Sequence, residues 1–232
     1  MKYYKLYVKR FYDNDMIATN ANGSKIANGD NYFWRMDKGE IIIDAPTFDY
    51  FYLESFDKKE YWDWILCDVY NFIGESSQIP GWLISKKLKE ILEKYKIAEP
   101  HFYYLSKLLY QEQKLDYYIF QFSGKDFRLP LTNYIDFNKS LFYDPNHKID
   151  FTVSNEKELL FQQEKILEES GFDVINVPIK KLFINDDIHF ISMQNFLGDK
   201  IVSEKLKQSL EENGIIGFEF SELEYEIVVE KY

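Results

Sequence analysis

The chain is organised around residues 81–93, GWLISKKLKEILE, because residues 199–211, DKIVSEKLKQSLE, repeat their pattern 118 positions later. Each copy begins with a short apolar segment that predicts the end of a strand. A serine follows, Ser85 or Ser203, of the type that caps a helix by accepting a hydrogen bond from its first free backbone N–H groups. Each copy therefore predicts a strand that leads directly into a capped helix.

The residues after each serine have the spacing of an amphipathic helix. In the second copy, Leu206 and Leu210 form the apolar stripe, and Asn213-Gly214 supplies a left-handed stop. In the first copy, the stripe consists of Leu88, Ile91, Leu92 and Tyr95. The match continues at the same offset, where Ile97, Phe102 and Leu105 correspond to Ile215, Phe220 and Leu223. Two copies indicate a duplication rather than a solenoid.

The composition predicts a folded protein. Of its 232 residues, 46% are hydrophobic and 19% aromatic, enough to offset the entropy lost on ordering the chain. The single cysteine, Cys67, excludes a disulfide within the chain, which favours a reducing compartment. Its apolar and acidic neighbours predict a buried structural side chain rather than a nucleophile.

We find neither a signal peptide nor an apolar run of roughly 18 residues, and so expect a cytoplasmic protein that is not in the membrane.

Alternating and apolar segments predict strands along the first part of the chain. A loop is expected at residues 13–30, between the strands at 3–10 and 40–44. It carries turn signals at Asn22-Gly23 and Asn28-Gly29. After the first copy, a strand at residues 101–105 is expected, followed by a pair of consecutive strands at 116–122 and 134–142. The earlier strands are expected at residues 3–10 and 40–44, and residues 48–70 form an aromatic, irregular region.

The pattern changes after Asp144-Pro145-Asn146-His147, which breaks the alternation. Asn155 with Glu158 resembles a capping box, and the helix that it opens is expected to end at Gly171. Strands are then expected at residues 172–177, 182–184 and 219–229. We therefore predict an α+β fold of mixed or antiparallel sheets with a few flanking helices. Its two related halves, residues 1–145 and 146–232, are expected to form one compact unit.

A search for catalytic motifs gives little. Neither a G-x-G-x-x-G nor a phosphate-binding P-loop motif is present. Residues 74–78 lack the second glycine that a nucleophile elbow needs. The acidic and imidazole cluster at Asp186, Asp187 and His189 can in principle hold a divalent ion, but a polar turn is the favoured interpretation. We predict no catalytic residue, no bound metal and no cofactor.

Charge is unevenly distributed along the chain. The net charge is −11, and residues 151–232 hold 17 Asp and Glu against 8 Lys, which leaves −9 in that part. An acidic field repels phosphate backbones, so nucleic-acid binding is disfavoured, whereas a basic protein partner is compatible with it. A role in solubility is the default interpretation for most of these carboxylates.

Three passages resemble a family of immunity proteins from bacterial polymorphic toxin systems, immunity family eleven, formerly a domain of unknown function. The first passage is Trp82–Glu90 with the strand that leads to Phe102. The second runs from Tyr117 through Ile135-Asp136-Phe137-Asn138-Lys139-Ser140. The third is Ile201–Lys207 with the Gly214 and Phe218 or Phe220 that follow. Together they extend over residues 80 to 223, and none is a catalytic motif.

The resemblance implies a cytoplasmic protein that binds one cognate toxin domain and blocks its active site or substrate path. Two alternatives stay open. One is an enzyme that uses carboxylates such as Asp63 and Asp68, for example on a sugar stacked against Trp62 or Trp64. The other is a non-catalytic scaffold subunit of a larger complex.

The acidic C-terminus predicts where a partner binds. In the expected strand at residues 219–229, Glu222, Glu224 and Glu226 would form a row on one side, with Leu223, Tyr225 and Ile227 facing the core. Such a row can steer a basic partner, or it can protect an edge strand from pairing with other sheets. The full set of expected partner-binding residues adds Glu211, Glu212, Tyr61, Trp62 and Trp64.

Overall fold

The computed structural model describes residues 1–12, 16–17, 19–55, 65–171, 177–193 and 197–230. Its helices are α1 (Gly29–Asp37), α2 (Lys86–Leu92), α3 (Arg128–Thr132), α4 (Glu156–Glu169) and α5 (Glu204–Glu212). Its strands are β1 (Tyr3–Val8), β2 (Phe11–Tyr12), β3 (Met16–Ile17), β4 (Asn20–Asn22), β5 (Phe48–Glu54), β6 (Val69–Tyr70), β7 (Phe72–Ile73), β8 (Gly81–Ser85), β9 (Phe102–Tyr110), β10 (Gln113–Gln121), β11 (Leu141–Asp144), β12 (Ile149–Phe151), β13 (Ile179–Ile184), β14 (Phe190–Ser192), β15 (Lys200–Ser203), β16 (Phe218–Glu222) and β17 (Glu226–Val229).

The strands form mixed sheets, and the predicted α+β class is confirmed. The largest sheet has the order β6-β8-β10-β9-β5-β4-β7, and two four-stranded sheets have the orders β14-β15-β1-β16 and β12-β11-β13-β17. Most neighbours are antiparallel, whereas β5 with β9, β4 with β7 and β13 with β17 are parallel. Among the described helices, none is long and apolar enough to cross a membrane.

Both copies of the repeated stretch fold as predicted, into β8-α2 and β15-α5. The Ser85 hydroxyl accepts a hydrogen bond of 3.1 Å from the N–H of Leu88. Ser203 accepts one of 3.2 Å from the N–H of Leu206. Gly214 has a φ of 59°, which is the left-handed stop expected after the second helix.

The duplication extends to whole sheets. The antiparallel order β6-β8-β10-β9 recurs as β14-β15-β1-β16. We call the first set with α2 the first unit, and the second set with α5 the second unit. The counterpart of β10 in the second unit is β1, so the N-terminal strand completes a sheet made otherwise from the C-terminal part. This sheet therefore crosses the predicted boundary after residue 145.

Strand register places the counterparts in the two units. Tyr117 lies opposite Ser85 and Tyr3 lies opposite Ser203, so Tyr117-Tyr118 corresponds to Tyr3-Tyr4. Farther along the same strands, Phe120 pairs with Tyr103 and Leu6 pairs with Phe220. Tyr103 is thus the counterpart of Phe220, and the sequence-based match of Phe102 to Phe220 is wrong by one residue. The connection from helix to strand is one residue longer in the first unit.

The two units also exchange the segments that follow their helices. After α2, the carbonyl of Lys96 accepts from the N–H of His189, at the start of β14. After α5, the carbonyl of Ile216 accepts from the N–H of Asp68, beside β6. Between the units, one apolar cluster buries Trp82, Leu88 and Phe120 with Phe190, Val202 and Leu206. Burial of this shared cluster stabilises the association of the units.

A lysine between two aromatic rings is repeated as well. The ammonium of Lys89 lies 5.3 Å from the ring centroid of Tyr103 and 5.1 Å from that of Tyr118. Lys207 lies 5.2 Å from the ring centroid of Tyr4 and 5.3 Å from that of Phe220. Each lysine also pairs with the glutamate four residues later, Glu93 or Glu211. These lysines hold each helix against the two strands beneath it.

Two further apolar clusters lie within the described part of the chain. In the N-terminal cluster, Phe33 and Met36 of α1 pack with Phe48 and Phe51 of β5. In the C-terminal cluster, Leu159 and Ile166 of α4 pack with Phe142, Leu182 and Ile184. Because the second cluster joins residues from both sides of position 145, the packing does not divide at the predicted boundary. The division into halves stays a prediction.

Several local expectations are wrong. The predicted loop at residues 13–30 contains β4 and the start of α1. Residues 40–44 form a turn rather than a strand: Ile42 is buried and donates its N–H to the Tyr104 hydroxyl at 3.1 Å, whereas Ile43 is 86% exposed. Part of the irregular region is strand β5.

The expected pair of strands at 116–122 and 134–142 is only half correct. The hairpin partner of β10 is β9, joined through Gln111 and Glu112 at φ values of 46° and 66°. Within residues 134–138 the structure has an isolated bridge between Ile135 and Ile184. Cys67 is buried, as expected. Residues 172–176 lie outside the described part, so that part of the expected strand has no outcome.

We predict that Ser85→Ala and Ser203→Ala each lower the free energy of unfolding by about 0.5–2 kcal/mol, because each removes a helix cap. Urea denaturation followed by far-UV circular dichroism measures this change. Ser209→Ala, in the middle of α5, is the matched control and is expected to be neutral or slightly stabilising. Equal effects of all three substitutions would contradict the capping role.

Candidate functional site

The structure contains a serine and histidine pair of the kind used in nucleophilic catalysis. Ser203 Oγ lies 2.7 Å from Nδ1 of His189. The serine stands at a strand-to-helix junction, which is also where a nucleophile elbow places its serine. Its backbone is relaxed, however, with φ −68° and ψ 152°, and its side chain is fully buried.

The first unit shows what this pair does. There, Ser85 Oγ donates to Asp68 Oδ1 at 2.6 Å, and Asp68 precedes β6 just as His189 precedes β14. In both units the serine also accepts a hydrogen bond from the helix. Because a carboxylate and an imidazole occupy equivalent positions, the shared role is structural. Each pair joins the helix cap to the neighbouring edge strand.

Asp68 is also one of the carboxylates considered for catalysis. Its Oδ2 accepts the N–H of Ile216 at 2.9 Å, and its Oδ1 accepts the Ser85 hydroxyl. Both oxygens are therefore engaged in structural hydrogen bonds, Oδ1 within the first unit and Oδ2 to the segment that follows α5. Asp63, the other candidate acid, lies outside the described residues.

The cluster singled out at residues 186–189 does not form a common site in the structure. His189 is directed to Ser203, whereas Asp186 pairs with Lys96. A different group comes together instead. Ligand atoms of Asp144, His147 and Glu169 lie within 4.8 Å of one another. The spacing of Asp144 and His147 is visible in the sequence, but Glu169 arrives from α4 and could not be found that way.

Asp144 holds a turn between β11 and β12. Its Oδ1 accepts the N–H of Asn146 at 2.8 Å, and its Oδ2 lies 2.8 Å from Nδ1 of His147. Burial opposes its charged form, but the hydrogen bonds from the His147 ring and from the two backbone N–H groups outweigh burial and lower its pKa. Glu169 Oε2 lies 3.7 Å from the same ring nitrogen, so the turn is attached to the end of α4.

The acidic C-terminal segment differs from the expected single strand. β16 ends at Glu222 and β17 begins at Glu226, in different sheets, so the expected row of glutamates on one strand is wrong. The chain bends between them because Tyr225 packs inward and donates its hydroxyl to Asp199 Oδ2 at 2.9 Å. Leu223, Tyr225 and Ile227 do pack against the C-terminal cluster, as predicted.

The expected partner-binding glutamates fall into two groups. Glu211, Glu222 and Glu226 form ion pairs, at 2.6 Å with Lys207, 2.7 Å with Lys2 and 2.9 Å with Lys181. The Lys2 ammonium holds the pKa of Glu222 below its usual value. Glu212 and Glu224 are exposed and, like Glu219 in β16, make no ion pair with the described residues. The aromatic candidates Tyr61, Trp62 and Trp64 lie outside the described part of the chain.

A cleft opens where the second unit departs from the first. β8 is paired with β10 over its whole length, Gly81–Ser85. By contrast, β15 is paired with β1 only at residues 201–203, so Lys200 and the residues before it are not paired with β1. The reason lies at Gly81, where an added Cβ would lie 2.0 Å from the Phe120 carbonyl oxygen. Its counterpart in the sequence repeat is Asp199, which has a side chain and cannot approach the neighbouring strand so closely.

This cleft has a volume of about 530 Å³ and opens to solvent. The Lys200 ammonium lies 5.9 Å from the ring centroid of Trp82. Burial lowers the pKa of Lys200, against the opposing charge of Asp199. The cleft is also lined by Tyr7, Arg10, Asn71 and Glu219. Sequence reasoning missed this site because it depends on where two strands separate.

Comparison with known proteins gives no matching family model and no matching curated protein. The three passages that resemble the immunity family map onto the repeated elements of the fold. In this fold, those passages include β8-α2, β10 and β15-α5, which build the two units.

We predict that Asp144→Asn lowers the free energy of unfolding at pH 7 by about 1–3 kcal/mol, because it removes a charged acceptor from a buried set of hydrogen bonds. The folded-state pKa of Asp144 is lowered. Its contribution is therefore present above the ordinary aspartate pKa of about 3.9 and is lost as pH falls through the folded value.

The difference in the free energy of unfolding between the parent protein and Asp144→Asn should therefore shrink in acid. Urea denaturation between neutral pH and pH values below about 3.9 measures this difference. Asp150→Asn is the control. Asp150 makes an exposed ion pair with Lys180, and such pairs contribute roughly 0–1 kcal/mol. A difference for Asp144→Asn that stays constant throughout this range would contradict the assignment.

Proposed function

We propose that this protein is a toxin-neutralising immunity protein, which binds a cognate toxin domain in the bacterial cytoplasm and blocks it without catalysis. The resemblance of three passages to immunity family eleven supports the class. The acidic charge supports a basic partner. A toxin whose substrate is nucleic acid fits this picture, because its active-site cleft is cationic.

The observation that carries the proposal is the group of exposed glutamates Glu212, Glu219 and Glu224. They belong to the part of the chain with a net charge of −9, and among the described residues they have no ion-pair partner. Like charges on one protein repel one another, so they are stabilised when a basic surface approaches. The same charges raise the rate of encounter with that surface.

Lysine partners distinguish Glu211, Glu222 and Glu226 from the glutamates that make no ion pair. An ion-paired carboxylate contributes less field at a distance than one without a counter-charge. The glutamates that steer a toxin are therefore Glu212 and Glu224 of the expected partner-binding set, together with Glu219, which that set did not include. The same segment therefore contains three ion-paired glutamates and three that are not ion-paired, which can be compared directly.

We predict that replacing Glu212, Glu219 and Glu224 together with Gln slows association with the toxin domain by roughly tenfold at low salt. The dependence of the association rate on ionic strength should also become shallower. Stopped-flow or surface-based kinetics over a salt series measures both quantities. The toxin to use is the C-terminal domain of a secreted protein, which the proposed function predicts to be encoded immediately upstream.

The matched control replaces Glu211, Glu222 and Glu226 with Gln, which changes the net charge by the same amount. We expect a clearly smaller effect on the association rate. Equal effects of the two variants would mean that net charge alone matters and would remove these residues from the interface. If producing the protein fails to protect cells against the adjacent toxin, the proposed function itself is contradicted.

A further inference from the structure

The cleft between the units concentrates basic residues in an acidic protein. The chain has 39 Asp and Glu against 28 Lys and Arg, and many of its described lysines are ion-paired. Lys200 and Arg10, which both line the cleft, make no ion pair with any described residue. The neighbouring Asp199 is ion-paired with Lys5 instead. Two cations that make no ion pair at one opening indicate a site for an anion.

Lys200 is the better placed of the two. Its ammonium lies over the ring of Trp82, in a half-buried position where water screens its charge less than at the surface. A bound anion would compensate for the lost hydration, which the aromatic ring does only in part. Asn71, also in the cleft wall, adds an amide that can donate hydrogen bonds.

The cleft also has surfaces for a ring and for hydroxyl groups. Tyr7 lines it with a side chain that is 47% exposed and so offers a ring face for stacking. Glu219 belongs to β16, on the other side of β1 from the strand that carries Lys200. Glu219 lies directly opposite Tyr7 in the β1–β16 pair, so its carboxylate projects from the same face of the sheet as the Tyr7 ring. A carboxylate in that position accepts hydrogen bonds from hydroxyl groups.

We propose that this cleft binds a nucleoside monophosphate, with the phosphate at Lys200 and Arg10, the base against Tyr7, and the sugar hydroxyls toward Glu219. The volume of about 530 Å³ lies within the usual range for small-molecule sites, roughly 300–1,000 Å³. The site goes beyond the proposed toxin binding and does not depend on it, because no protein partner is needed to fill it.

The test is isothermal titration calorimetry of the purified protein with adenosine 5′-monophosphate, adenosine and inorganic phosphate. We expect one saturable site for the nucleotide. Adenosine lacks the anion and phosphate lacks the ring, so each should bind at least about tenfold more weakly. Nucleotide binding that is no tighter than phosphate binding overturns the proposed ligand class, as does the absence of binding at millimolar nucleotide.

Lys200→Met preserves the length and the apolar stem of the side chain and should weaken nucleotide binding by about tenfold or more. Arg10→Gln, at an exposed position, gives a second variant that is not expected to disturb folding. Lys205→Met is the matched control. Lys205 is on α5, where its ammonium lies over the ring of Tyr95, and it does not line the cleft. Nucleotide affinity that is unchanged in both cleft variants, or equally reduced in the control, overturns the proposal.

Discussion

The fold depends on a serine hydroxyl that joins three elements in each unit. Ser85 and Ser203 end their strands, cap the helices that follow, and contact the residue before the neighbouring edge strand. A hydroxyl group suits this position because it donates one hydrogen bond while it accepts others. With the helix fixed to the sheet in this way, the apolar stripes of α2 and α5 meet in one shared cluster.

Side chains that recur in both units have a structural role, whereas those found in one unit are candidates for binding. A serine and histidine pair invites a catalytic interpretation, yet the equivalent serine and aspartate pair has the same neighbours in the first unit. By contrast, the cleft beside Lys200 lies where β15 is no longer paired with β1, whereas β8 is paired with β10 through Trp82. Features that recur in both units hold the fold together, whereas a feature present in one unit is free to serve a ligand.

The distribution of charge depends on the tertiary structure as well as on the sequence. The excess of acid in the C-terminal part is visible in the composition, but its distribution over the surface is not. Lys2 and Lys181 come from distant parts of the chain to pair with Glu222 and Glu226. Glu219 lies in the same segment and has no such partner among the described residues. Which carboxylates can attract a partner therefore depends on strand pairing.

The sequence by itself determined the two strand-to-helix copies, their serine caps, the helix opened by Asn155 and the α+β class, because caps and periodicity act over a few neighbouring residues. Only the tertiary structure decided that β1 completes the second unit, that residues 219–229 divide between two sheets, and that Glu169 joins Asp144 and His147. It also decided where the cleft lies. These features arise from contacts between residues far apart in the chain, which depend on strand register and close packing rather than on any local pattern.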